Sequence, residues 1–201
     1  MDENRSIFSP LRIDAVEVPA SGGLIGMTVC PGKDEYACLG IPAGPWKRDL
    51  DLDLQVISDW RAEVLVSLIE DIEFDGLAVP ELPEKAADLG LRWMHLPIVD
   101  AGIPDMTFEE RWETTGKELR RVLKDGGRIV VHCRGGLGRT GMIAARLLVE
   151  FGMEPHAAIA KVRNARPGAI QTVEQEEYLI RREWSQQQLR KEIIHESGAD
   201  R

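Results

Sequence analysis

The chain has 201 residues, of which 43% are hydrophobic and 29% charged, and its formal net charge is −9. These values are typical of one globular domain, and the negative charge disfavours nucleic acids and anionic membranes as partners. No apolar run reaches the roughly 18 residues of a membrane span, and the first ten residues are polar and acidic, so we expect neither a span nor a signal peptide. Three cysteines without a C-x-x-C spacing argue against a disulfide framework or a zinc site and favour the cytoplasm.

The N-terminal part of the chain predicts a β-hairpin over residues 11–29. Two strand-like segments, 11–18 and 24–29, flank a turn that contains two glycines. The next stretch, residues 31–46, is rich in proline and glycine and predicts a long irregular loop. Cys30 and Cys38 border and occupy this loop, and we interpret them as partly buried thiols.

The middle of the chain alternates helical and strand-like patterns. We expect a helix over 49–60, a strand over 64–69, one or two short helices over 71–87 that are broken at Pro80 and Pro83, and a strand over 91–96. Thr107, with Glu110 three residues later, has the pattern of a capping box and predicts a helix that runs to Lys124.

The C-terminal part predicts a strand ending at His132 and helices over 142–153 and 154–165, followed by a long charged helix that reaches about His195. Alternation of apolar strands with helices predicts a single α/β domain over residues 1–201, with a mostly parallel central sheet flanked by helices. We expect its core to span about residues 9–195 and residues 197–201 to form a flexible tail.

The stretch 129–141, IVVHCRGGLGRTG, combines the end of a strand, a glycine-rich loop and the start of a helix. A loop that closes onto a helix N-terminus directs unpaired backbone N–H groups to one point, where an anion binds. Arg139 adds a planar guanidinium that suits two phosphate oxygens. The stretch therefore predicts a phosphate site made by Arg139 and by the backbone of Arg134, Gly135, Gly136, Leu137 and Gly138.

The loop also predicts a nucleophile. N–H dipoles and a cation around Cys133 favour its thiolate, which would then attack a bound phosphorus atom. Thr140 can donate its hydroxyl hydrogen to the sulfur and make it a better leaving group. The alternative is a buried structural cysteine in a glycine-rich turn.

The segment HCRGGLGRTG resembles the signature loop of the cysteine-dependent protein tyrosine phosphatases, which reads His-Cys, five residues, Arg and then Ser or Thr. Four further segments extend the resemblance to about residues 9–182: SPLRIDAV, TVCPG, PIVDAGIPD and GAIQT. Together with the loop they resemble the cyclin-dependent-kinase-associated branch of the dual-specificity group. Arg134 departs from that branch, which has tyrosine there. The resemblance implies a phosphatase that uses no metal or cofactor and acts on phosphorylated proteins through a phosphocysteine, with phosphotyrosine as the expected substrate and phosphoserine and phosphothreonine as candidates.

The resemblance also implies roles for residues outside the loop. The family carries its general acid on a loop after the strand that precedes the motif strand, and Asp100 matches that place. Asp105 is the alternative, although a turn or a helix cap would also account for it. Gln171 and Gln175 match a Q-T-x-x-Q segment that positions the hydrolytic water in tyrosine-specific members; the alternative is a helix start capped by Thr172.

Among the histidines, His132 resembles the family histidine that orients the cysteine through a backbone contact. We interpret the other three as structural.

Several alternatives stay open at the level of sequence. Extra positive charge from Arg134 would favour a phosphoinositide substrate, and a module that captures phosphoproteins without cleaving them would also need the loop. A rhodanese-like sulfur transferase uses a similar cysteine loop, but the glutamines and Thr140 speak against it. The cluster of Lys161, Arg163 and Arg166 predicts either a positive mouth at the site or a solvated helix face. The oligomeric state, and pairing of Cys133 with another cysteine on oxidation, are not determined.

Overall fold

The structure, a computed structural model, describes residues 9–34 and 47–181. In these ranges the chain forms one five-stranded sheet, with strands β1 (Asp14–Glu17), β2 (Leu24–Thr28), β3 (Val64–Ser67), β4 (Arg92–His95) and β5 (Arg128–His132). The strand order is β1-β2-β5-β3-β4, in which β1 is antiparallel to β2 and every other pair is parallel. The predicted α/β class, the mostly parallel sheet and the edge hairpin are confirmed.

Seven helices in the described ranges flank the sheet: α1 (Leu50–Asp59), α2 (Asp71–Gly76), α3 (Leu82–Asp88), α4 (Met106–Lys124), α5 (Gly138–Glu150), α6 (Pro155–Ala165) and α7 (Val173–Arg181). None of them is long and apolar enough to cross a bilayer. The central strand β5 shows how the two layers are built, because its side chains alternate between faces. Val130 packs in a core with residues of α1, α2 and α3, whereas Ile129 and Val131 pack in a second core with residues of α4 to α7.

Three details of the helices differ from the sequence predictions. Asp105, and not Thr107, caps α4, because the Asp105 carboxylate accepts the Phe108 N–H at 2.7 Å and the helix begins at Met106. Pro83 lies in the first turn of α3, where its missing N–H is not needed, so it starts that helix instead of breaking it. The motif helix α5 begins at Gly138, four residues before Met142, since Leu137 O already accepts the Gly141 N–H at 2.8 Å.

Some predictions fall on parts of the chain outside the described ranges. These are residues 35–46 of the irregular loop, with Cys38, the extension of the last helix to His195, and the tail at 197–201.

Helix α5, which carries the motif at its start, is locked to α4 by a buried arginine. The guanidinium of Arg146 donates to both carboxylate oxygens of Glu109 at 2.7 and 2.8 Å and to Glu150 at 3.0 Å. It also lies 4.5 Å from the ring centroid of Trp112. Glu150 lies on α5 with Arg146, but a shift of α5 would separate Arg146 from Glu109 on α4, so this pair resists movement of the helix.

The parallel pairing brings the carboxyl ends of β2, β3, β4 and β5 to one edge of the sheet. Ligands bind at that edge in open α/β sheets. The four segments that follow these strands carry Cys30, Glu73, Asp100 and Cys133, and together they form the candidate site.

Candidate active site

The motif loop wraps around Cys133, whose side chain is buried and forms no disulfide. Gly136 bends the loop with φ of +67°, and a Cβ there would lie 2.2 Å from Thr28 O, so only glycine fits. Cys30 N donates to Arg134 O at 3.3 Å, which ties the start of the loop to the end of β2.

Arg166 fixes the orientation of the loop peptides from behind. Its buried guanidinium donates to Gly136 O and, at 3.3 Å, to Gly135 O, and it pairs with Asp14 at 2.7 Å. In a trans peptide the N–H points away from the carbonyl oxygen. With these carbonyls turned outward, the N–H groups of the following residues face the inside of the loop, as an anion site requires.

The basic cluster on α6 therefore does not form the predicted positive mouth. Arg166 is neutralised by Asp14, and Arg163 donates to Ala169 O, to Ile170 O and, at 2.8 Å, to Glu176. Both arginines brace the backbone around the loop. Of the two arginines in the motif, Arg139 is buried at the centre of the site and Arg134 is exposed, where its charge helps to lower the pKa of Glu73.

Arg139 is buried and is held by a carboxylate that the sequence reading missed. Its Nη1 and Nη2 donate to the two oxygens of Glu73 at 2.5 and 2.9 Å, and Nη1 also donates to Ile98 O at 3.0 Å. Burial alone would raise the pKa of Glu73, but the hydrogen bonds and charge of Arg139 hold that pKa below its ordinary value. A buried arginine requires a carboxylate partner. The prediction of Arg139 in the motif loop could therefore have prompted a search for a carboxylate at the same edge of the sheet.

Two buried polar groups of the motif, Arg139 Nε and Thr140 Oγ1, have no hydrogen-bond partner among the described residues. The predicted hydrogen bond from Thr140 to the sulfur of Cys133 is therefore not formed in this structure. A buried donor without an acceptor costs free energy unless a ligand supplies one. A phosphate oxygen would satisfy Arg139 Nε.

The two candidate acids occupy different environments. Asp100 Oδ1 lies 2.9 Å from Arg139 Nη2, at an exposed corner of the turn that Gly102 N closes onto Val99 O at 2.9 Å. Asp105 is occupied as the N-cap of α4. Only Asp100 of the two is in contact with the predicted phosphate-binding arginine.

The glutamines of the QTVEQ segment lie against the start of α5. Gln171 Oε1 accepts the Gly138 N–H at 3.1 Å, so this loop amide, predicted to bind phosphate, already has a protein acceptor. Buried Gln175 accepts Gln171 N–H at 3.0 Å and donates to Gly102 O at 3.0 Å, which ties the Asp100 turn to α7. Thr172 does accept the Gln175 N–H at 3.2 Å, so the capping alternative is also correct.

His132 is buried in a chain of hydrogen bonds that fixes its tautomer. Trp93 Nε1–H donates to Ser67 Oγ at 2.8 Å, and Ser67 Oγ lies 2.6 Å from His132 Nε2. With the serine hydrogen directed at Nε2, Nδ1 carries the ring proton and faces Cys133 O at 3.3 Å. Burial, and then the charges of Arg139 and His95, lower the pKa of His132 to about 4, so it is neutral near pH 7.

Cys30 is a neutral thiol near Cys133. Burial first, and then its interaction with Cys133, raise the pKa of Cys30 far above its ordinary value. Cys30 is fully buried, where the sequence predicted a partly buried thiol, and it contributes packing beneath the loop.

Comparison with protein-family models gives one match, over residues 65–179, to the family described as "Swiss Army Knife protein, DSP-PTPase phosphatase domain". The matched segment runs from β3 to α7 and includes Glu73, Asp100, the motif loop and both glutamines. It covers more than half of the chain.

Related proteins and a solved structure agree with this match. Cyclin-dependent kinase inhibitor 3 of Rattus norvegicus is 34% identical over 151 residues, which are 70% of this chain and 69% of the relative. The Homo sapiens protein of that name is 36% identical over 183 residues, 89% and 79% of the two chains.

A crystal structure of kinase associated phosphatase, with its catalytic-site cysteine replaced by serine, superposes with a TM-score of 0.73 at 26% identity. The match covers 85% of this chain and 93% of that one. The chain therefore belongs to the dual-specificity group of the cysteine-dependent protein tyrosine phosphatases, in the branch of kinase associated phosphatase.

Proposed function

We propose that this enzyme hydrolyses phosphotyrosine, and phosphoserine and phosphothreonine where they reach the loop, in proteins through a phosphocysteine intermediate. The observation that carries the proposal is that the loop that begins at buried Cys133 has two carbonyls held from outside by Arg166 and ends at Arg139, whose buried Nε has no partner among the described residues. Asp100, 2.9 Å from Arg139, stands at the mouth of the same site.

In the first step the Cys133 thiolate forms a bond to phosphorus while the bond from phosphorus to the ester oxygen breaks. The loop amides and Arg139 stabilise the charge on the three remaining phosphate oxygens. A phosphate dianion competes with the Asp100 carboxyl for the guanidinium, which releases that carboxyl to meet the leaving oxygen. Once released from Arg139, the Asp100 carboxylate takes up a proton from water and gives it to the leaving oxygen.

In the second step water attacks the phosphocysteine, and the bond from sulfur to phosphorus breaks. The electron pair returns to Cys133, where the Thr140 hydroxyl stabilises it, and Asp100 takes the proton of the water. We assign the positioning of this water to Gln171 and Gln175, because they lie between the motif loop and the Asp100 turn. His132 takes no part in proton transfer, and orients Cys133 through its carbonyl group.

The charges around the site favour a protein substrate over a phosphoinositide. Asp100 is exposed at the mouth, and the neighbouring segments carry Glu70, Asp71 and Asp105. Negative charge here repels the further phosphates of an inositide and the surface of an anionic membrane. A polypeptide that carries one phosphate, and otherwise neutral or positive side chains, is repelled less.

The first prediction concerns the nucleophile. We expect Cys133→Ser to lower turnover by more than about 10³-fold while phosphopeptide binding persists, since the serine hydroxyl is far less nucleophilic than a thiolate. Initial rates are measured in chelator on a phosphotyrosine peptide, a phosphothreonine peptide and a soluble phosphoinositide. Residual activity within tenfold of the wild type would rule out Cys133, and turnover of the phosphoinositide alone would replace the protein substrate by a lipid. Tight phosphopeptide binding without turnover by the wild type would instead indicate a capture module.

The second prediction separates the two aspartates. Asp100→Asn should lower the rate of the chemical step by about 10²-fold or more on a phosphopeptide, and less on an aryl phosphate with a good leaving group. Asp105→Asn is the matched control, because asparagine caps a helix as well as aspartate does. If Asp105→Asn is the slow variant and Asp100→Asn retains its rate, the assignment is wrong.

The third prediction concerns His132 and pH. Its pKa is about 4 in the folded protein and about 6.5 when unfolded. The unfolded chain therefore binds the extra proton between these values, and stability falls as pH decreases from about 6.5 to about 4, by roughly 3 kcal/mol in all. Urea unfolding of the wild type and of His132→Gln, each at pH 7 and pH 4.5, measures this contribution of His132 to the free energy of unfolding. An equal loss of stability in both proteins would show that His132 does not supply it.

A further inference from the structure

An open groove adjoins the predicted phosphate site. It lies between the segment that follows β3 and the segment that follows β4, with a volume of about 380 Å³. Its lining consists of apolar and acidic residues: Glu70, Asp71, Ile72, Pro97, Ile98, Val99, Ile103 and Asp105.

The groove shares its wall with the phosphate-binding arginine. Arg139 Nη1 donates at 3.0 Å to the carbonyl oxygen of Ile98, which lies in the groove lining. Glu70, on the opposite side, donates its backbone N–H at 2.8 Å to Glu73, the carboxylate that holds Arg139. A residue whose phosphate is bound by Arg139 therefore has its neighbours in the chain beside this groove.

Three large apolar side chains are exposed along the groove. Ile72 is 79% exposed, Val99 63% and Ile103 42%. Single exposed apolar residues need no explanation, but several that line one concave surface indicate a binding surface. An apolar side chain of a partner would remove their surfaces from water.

The charge of the groove favours a partner with positive side chains. Its lining carries three carboxylates, those of Glu70, Asp71 and Asp105, and no lysine or arginine among the described residues. Two basic groups lie next to the lining: His95 Nδ1 is 3.7 Å from Asp71 Oδ1, and Arg139, which pairs with Glu73, donates to Ile98 O. The Asp71 side chain is 94% exposed and thus accessible to a cation from outside. The loop attracts the phosphate, whereas the groove attracts positive charge.

We propose that this groove binds the polypeptide beside the phosphorylated residue and selects substrates with a lysine or arginine and an apolar residue in that flanking segment. The inference rests on the proposed function, since it takes the phosphorylated residue to be bound by the motif loop. It specifies the substrate class as protein segments in which positive and apolar side chains adjoin the phosphate.

The test measures binding, so that it does not depend on turnover. The Kd is measured by fluorescence anisotropy in a Cys133→Ser background. Three phosphotyrosine peptides are compared, and each is made with the flanking pair before or after the phosphotyrosine. The flanking pairs are lysine with leucine, glutamate with leucine, and lysine with serine. We expect the lysine and leucine flank to bind about tenfold more tightly than the glutamate and leucine flank. Combined Asp71→Asn and Ile72→Gln substitutions should reduce that preference to about twofold.

Matched controls lie on surfaces away from the groove. Leu52 on α1 and Asp88 on α3 are exposed, so Leu52→Gln with Asp88→Asn should leave the tenfold preference intact. Turnover of para-nitrophenyl phosphate, which has no flanking residues, should be unchanged by the groove variants in an otherwise wild-type chain.

The outcomes separate the two proposals. Equal Kd values for all flanks, with normal turnover of para-nitrophenyl phosphate, would overturn the groove and leave the proposed function standing. A flank preference that Asp71→Asn with Ile72→Gln removes, without turnover of any substrate by the wild type, would support the groove and contradict the proposed function. A dimer that Ile72→Gln dissociates, with no flank preference, would assign the groove to a second copy and overturn the inference.

Discussion

The site depends on one buried ion pair, between Arg139 and Glu73. Arg139 lies in the first turn of α5, whereas Glu73 lies in α2 after β3, and their side chains meet at 2.5 and 2.9 Å. A guanidinium taken out of water needs a paired carboxylate, and the pair needs good geometry to repay the cost of burial. Because Ile98 O and Asp100 also contact Arg139, this cation joins the ends of β3, β4 and β5. Its Nε has no partner among the described residues and is the atom proposed to bind a phosphate oxygen.

The loop itself is shaped by a second arginine that never faces the ligand. Arg166 turns two loop carbonyls outward, and the amides of the following residues point inward as a consequence. Arg139 thus supplies charge and Arg166 supplies orientation. The proposed phosphate site therefore does not require a positive net charge of the whole chain, which is −9. The groove that adjoins the site is lined by the carboxylates of Glu70, Asp71 and Asp105.

Local patterns predicted much of the fold and the centre of the site. The sheet and the loop could be predicted because each is specified by residues close together in sequence. Examples are the alternation of side chains in β5, the turn before β2 and the glycines after Cys133. The placement of Asp100 followed from the family resemblance together with the order of the strands. The structure agrees with that placement, and the catalytic role of Asp100 stays a prediction.

The features that could not be predicted depend on contacts distant in sequence. Glu73 carries no local sign of its role, because its partner lies 66 residues further on. The start of α5 at Gly138 was missed since glycine is a poor helix former. A Cβ at this position would lie 2.9 Å from the side-chain amide of Gln171 and 3.1 Å from that of Gln175, two residues more than 30 positions further on. Asp105 and Thr107 are both plausible caps from residue type alone. Arg166 looked like a surface cation because its partner, Asp14, lies on the edge strand at the other end of the chain.

The most direct test of the account is to trap the covalent intermediate. The Asp100→Asn variant is mixed with para-nitrophenyl phosphate, whose good leaving group makes the first step less dependent on an acid than the second. Acid quenching during turnover, proteolysis and mass spectrometry then locate the phosphoryl group. The account predicts one phosphoryl group on Cys133, lost on further incubation and absent from Cys133→Ser. Turnover in which Cys133 stays unmodified while the phosphoryl group appears on another residue would contradict it.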